Sequence, residues 1–102
     1  MKGLKPGWEE LPRVLIRFHA SSASGPERDE VIHAIPLLSA LCAWPEHHLI
    51  VACEDGLTLM LPAADAAGAY LAPLSGGGWQ LVLPMDTTRR RWVKNVISFV
   101  CM

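Results

Sequence analysis

Residues 22–45 read SASGPERDEVIHAIPLLSALCAWP, and the fold turns on whether this stretch is a helix. It opens with small polar residues and Pro26. Glu27, Asp29 and Glu30 follow, a concentration of negative charge that a helix N-terminus favours. Val31, Ile35, Leu38 and Cys42 then recur at helical spacing, with Leu41 beside them, and Pro45 closes the run. Pro36 falls inside it and lacks the N–H that would bond to the carbonyl of Ile32. The expected element is a helix kinked or broken at Pro36.

On either side of this stretch the pattern changes from helical to alternating. RVLIRFHA, residues 13–20, sends Val14, Ile16 and Phe18 one way and Leu15, Arg17 and His19 the other, as a half-buried strand does. HHLIVACEDGLTLMLP, residues 47–62, is two apolar runs joined at Asp55 and Gly56, a pair able to adopt the positive φ angles of a tight turn. AADAAGAYLAPL, residues 63–74, is expected to form a helix of about ten residues, stopped by Pro73 and the glycines. WQLVLPMDT, residues 79–87, alternates again and ends its strand at Pro84. The resulting order predicts an α+β domain: an antiparallel sheet of about four strands with helices on one face, in the split βαβ or ferredoxin-like order.

The C-terminal stretch TTRRRWVKNVISFVCM is the remaining element. Wound as a helix, it gathers Trp92, Val93, Val96, Ile97, Phe99, Val100 and Cys101 on one wide arc. Its β-branched content, and arginines placed at what would be a helix N-terminus, favour a strand instead. Helix is the preferred expectation, strand the alternative.

A chain of 102 residues is long enough for one domain, 1–102, and too short for two. With 51% apolar and 19% charged residues it has the composition of a folded, soluble chain. Residues 1–86 carry five Lys/Arg against ten Asp/Glu, and residues 87–102 carry four basic groups and no acids. Cations confined to one cluster do not make the extended footprint that a phosphate lattice rewards. MKGLKPGWEELP has no apolar region behind its lysines, and no run reaches the ~18–20 apolar residues of a membrane span. Cys42, Cys53 and Cys101 are odd in number and set in apolar runs, unlike a disulfide framework. A cytoplasmic location follows as the expectation.

Sorted by alternation, one sheet face would carry Val14, Ile16, Phe18, Leu49, Val51, Cys53, Leu57, Leu59, Leu61, Trp79, Leu81 and Leu83. The opposite face would carry Leu15, Arg17, His19, His48, Ile50, Ala52, Thr58, Met60, Gln80 and Val82. About half of that second set is apolar, so a cover is expected, from the C-terminal segment or from another chain. Leu15, Arg17, His19, Ile50, Met60 and Val82, edged by Arg89, Arg90, Arg91 and Trp92, are the candidate partner-binding residues. The partner is expected to be another protein, a homodimer being the simplest case.

Other chemistries find little support. A base-stacking platform needs aromatics on the open face, and Phe18 and Trp79 alternate inward, so nucleic-acid binding would rest on Arg89, Arg90 and Arg91 alone. His47 and His48 are adjacent and point apart on a strand, with no metal-ligand spacing around them, so no metal or other cofactor is expected. The glycines of SGGGWQ follow an expected helix and precede a strand, the reverse of a phosphate loop. An enzyme site is the alternative reading, placed in a polar loop after the first strand at Arg17, His19, Ser21 and Ser22. The preferred reading is a small non-enzymatic binding or regulatory domain, adaptor- or inhibitor-like.

Overall fold

The computed structural model describes the backbone of residues 1–22, 25–86 and 88–102, and the side chains of 1–18, 30–86 and 88–102. Strands dominate: β1 (Val14–Ser22), β2 (Gly25–Pro36), β3 (His48–Cys53), β4 (Thr58–Pro62), β5 (Tyr70–Pro73), β6 (Trp79–Val82) and β7 (Val96–Cys101). The α-helices are single turns, α1 (Leu37–Ala40) and α2 (Ala63–Ala66), and a 3₁₀ turn spans Trp8–Glu10. Two antiparallel sheets result, with strand orders β1-β2-β5-β6 and β4-β3-β7. The ferredoxin-like order is not confirmed, because each expected helix keeps only a single helical turn and gives a strand to the sheet.

The decisive stretch contributes β2 and then a single helical turn. β2 pairs with β1 in a long hairpin that sets Ile16 opposite Ile32 and Phe18 opposite Glu30 on one face, and Leu15 opposite His33 and Arg17 opposite Val31 on the other. Val31, Ile32 and Ile35 are stiff, β-branched residues suited to a pleated surface. Their pairing also satisfies the backbone groups of β1, which a helix would leave without partners. Pro36 is the last residue of β2, where a missing N–H costs the ladder little. The acids that resembled a helix start lie on the hairpin instead.

The second expected helix stops after α2 because Tyr70–Pro73 is needed as a strand between β2 and β6, with Ile35 opposite Leu71 and Leu71 opposite Leu81. The glycines therefore connect two strands. Leu74 N–H donates to the Gly78 carbonyl at 3.0 Å, and Gly77 and Gly78 both hold positive φ. The 47–62 hairpin forms, but of the expected turn pair only Gly56 takes a positive φ, and Asp55 does not. Gly56 sits at φ 91°, and the Asp55 carboxylate accepts from the Leu57 N–H at 3.0 Å.

The C-terminal segment is strand β7, paired to β3 with Val51 opposite Phe99 and Ile50 opposite Val100. Its Val and Ile content decides against the helix, and β3 gains a partner on its second edge. A strap formed by residues 2–5 closes the outer edge of β7. Phe99 N–H donates to the Lys2 carbonyl at 2.9 Å, Lys5 N–H to Ala40 at 2.8 Å, and Cys42 N–H to Gly3 at 3.1 Å. Gly3 adopts φ 90°, and a Cβ there would collide with the Phe99 carbonyl oxygen.

One buried cluster joins the two sheets, including Ile35, Leu37, Leu49, Val51, Leu61, Leu71, Leu81, Val82, Leu83, Trp92 and Phe99. Of the expected inner face, Ile16, Leu49, Val51, Cys53, Leu61, Leu81 and Leu83 are buried, and Phe18, Leu59 and Trp79 pack against the cluster. Val14 and Leu57 are exposed instead, at a strand start and beside a turn. Among the described residues, no helix is long and apolar enough to cross a membrane.

Candidate interaction face

The three-stranded sheet buries one face and leaves the other open. On the buried side, cross-strand neighbours Val51, Leu59 and Phe99 form a row against the core, and Leu49 and Leu61 lie beside them. On the open side, Met60, Ile50 and Val100 form one row across β4, β3 and β7. Pro62, His48 and Met102 continue the face at one end, Met102 being held to His48 by N–H donation in both directions, at 2.8 and 3.1 Å. Thr58, Ala52 and Ser98 continue it at the other end. Met60 is 58% exposed, Val100 45% and Met102 61%, and Ile50 between them is half-buried. None of these nine positions is Lys, Arg, Asp or Glu.

The C-terminal segment therefore does not cover this face. As β7 it extends the sheet and adds Val100 and Met102 to the exposed apolar surface. Ile50 and Met60 stand together where alternation put them. Leu15 and Arg17 are exposed on the other sheet, on the outer side of the β1–β2 hairpin beside Val31 and His33. The single contact set expected from the sequence is thus divided between two sheets.

Two members of that set face inward. Val82 is fully buried, because the four-stranded sheet is covered on both sides around β5 and β6. Trp92 is also buried: its indole N–H donates to the Leu83 carbonyl at 3.0 Å and its ring meets Phe18 edge-on at 5.0 Å. Neither offers surface to a partner.

The arginines are engaged in different ways. Arg91 donates from Nε and Nη2 to both oxygens of Asp86, at 2.8 and 2.6 Å, and from Nη1 to Asp65 at 2.8 Å. These bonds hold the guanidinium firmly charged and hold the Asp86 carboxyl below its ordinary range. Arg89 pairs with Glu30 at 2.9 Å, and its guanidinium lies over the rings of Trp92 and Phe18 at 4.8 and 5.0 Å. Arg90 is exposed. Arg89 and Arg91 thus each bind acids of the protein itself.

The backbone of Ser21 and Ser22 belongs to β1, so the polar loop imagined for an enzyme is sheet hairpin up to Ser22. The side chains of His19, Ser21 and Ser22 lie outside the described residues. Sequence reasoning missed Val100 and Met102 as contact surface, because a helical wheel placed Val100 on an arc turned inward. It also missed that Cys42 and Cys101 line one cavity, which no spacing in the sequence could signal.

No family model matches the chain, and no curated protein or solved structure is detectably similar to it.

Proposed function

We propose that this is a small non-enzymatic protein-binding domain whose contact surface is the open face of the β4-β3-β7 sheet, and that its occupant is a second copy of the same chain. The observation that carries the reading is the row Met60, Ile50 and Val100 with Met102 beside it, apolar and largely exposed. Burying an apolar side chain of this size is worth roughly 1.5–3 kcal/mol, so leaving several wet forgoes much of a typical domain stability. The lack of Lys, Arg, Asp and Glu at these nine positions favours self-association in particular. A two-fold contact sets the same patch against itself, and a patch free of Lys, Arg, Asp and Glu brings few like charges together.

Sedimentation velocity over a dilution series tests the proposal, with Met60→Glu and Val100→Glu as variants. The native chain should sediment as a dimer that dissociates on dilution. Each variant should remain monomeric with unchanged near-ultraviolet circular dichroism. A native chain that is monomeric at high concentration, or a dimer that both variants retain, would overturn the reading.

A further inference from the structure

Two of the three cysteines line the same cavity. Cys42 lies just after α1 and Cys101 ends β7, and both line one cavity of about 300 Å³ together with Lys2, Gly3, Ala43 and Phe99. The Cys42 thiol donates to the Gly3 carbonyl at 3.0 Å. The Cys101 thiol donates to the carbonyl of Ala43 at 3.3 Å, which sets its sulfur against the backbone next to Cys42. Both cysteines are exposed, whereas Cys53 is buried.

We propose that Cys42 and Cys101 are a thiol pair that closes to an intramolecular disulfide by exchange with a small-molecule disulfide, stapling the last strand to the segment after α1. The Cys42 thiolate attacks one sulfur of oxidised glutathione, whose S–S bond breaks and releases one glutathione thiolate. Cys101 then loses its proton to solvent and attacks the Cys42 sulfur of the mixed disulfide, expelling the second glutathione thiolate. Two electrons pass from the protein thiols to the glutathione disulfide, and two protons leave the protein. Partial desolvation and the neighbouring Cys42 hold the Cys101 thiol above its ordinary range, which disfavours Cys101 as the first attacking thiolate. Cys53, buried in the core, stays out of the exchange. The inference does not depend on the dimer.

The test incubates the native 102-residue chain with oxidised glutathione and reads intact mass and peptide linkage. The expected product is two hydrogens lighter, with the Cys42 and Cys101 peptides joined and Cys53 free. Its thermal midpoint should rise by about 10 °C and return on reduction, since the link closes a long loop. Cys42→Ser and Cys101→Ser should each give a glutathione adduct on the remaining exposed thiol and no internal link. Two separate adducts on the native chain, a link between molecules, a link through Cys53, or no reaction after prolonged incubation would each overturn the proposal.

Discussion

The two sheets are built from similar sequence and end in opposite situations. The strands of both alternate apolar residues on their inner face with a mixed outer face. Around β5 and β6 the outer face is also covered, so that Leu71, Ala72, Leu81 and Val82 are all buried. Trp8 packs edge-on against Trp79 at 4.7 Å, and along the edge of β6 Leu81 N–H donates to the Val93 carbonyl at 2.9 Å. Among the described residues nothing covers the outer side of the β4-β3-β7 sheet, and Met60, Val100 and Met102 stand exposed. An apolar residue on the second face of a strand is therefore core or contact surface according to what the rest of the chain lays over it.

Changes that strip the covered region test this contrast most severely. Trp92→Ala removes a buried ring, its hydrogen bond to Leu83 and its edge contact with Phe18. It should cost about 3–5 kcal/mol in urea unfolding, the range for buried Trp truncations. A loss under about 1 kcal/mol, the scale of an exposed side chain, would mean that Trp92 is surface. Gly3→Ala acts on the strap that closes β7, by forcing a Cβ into the Phe99 carbonyl at positive φ. A loss of about 2 kcal/mol is expected, with hydrogen-exchange protection falling first at Phe99.

A smaller effect is expected at the Arg91 clamp, which is partly open to solvent. Arg91→Leu should lower stability by about 1 kcal/mol at neutral pH, solvent screening included. The pH dependence has a definite sign. Asp86 has a depressed folded pKa, chiefly through its hydrogen bonds from Arg91, so its contribution is full above the ordinary carboxylate range. It is lost as pH falls through the depressed value. Arg91→Leu should therefore flatten the acid limb of stability below about pH 4. An unchanged limb would show that the pair contributes nothing to folding.

Met60→Ala should have the smallest effect on the monomer, within about 0.5 kcal/mol, because the side chain is 58% exposed. Its association should nevertheless weaken measurably by sedimentation. A large loss of monomer stability would show that the open face is covered from within the chain and would erase the contrast between the sheets.

Much of this was legible where a pattern has one physical reading. β1, the β3–β4 hairpin with its Asp55–Gly56 turn, and β6 follow from period-two alternation and turn chemistry that need no distant partner. Residues 25–36 were misread because acids after a proline and apolar residues at helical spacing satisfy a helix as a local matter. The competing demand, a partner for the edge of β1, is visible only once the strands are assembled. The contact face was half legible: Ile50 and Met60 follow from the hairpin alternation, whereas Val100 and Met102 depend on the C-terminal segment being a strand paired to β3.

By itself the sequence determined the alternating strands, the tight turn at Gly56 and the set of residues apolar enough to make a core, because these depend on local stereochemistry and on side-chain hydrophobicity. The tertiary structure decided what covers what. It turned Trp92 and Val82 inward, engaged Arg89 and Arg91 in ion pairs with acids distant in sequence or across a loop, placed Cys42 and Cys101 on one cavity, and left one sheet face uncovered among the described residues. Each of these depends on which strand edges find partners and which faces find a second layer, and both are properties of the assembled sheets.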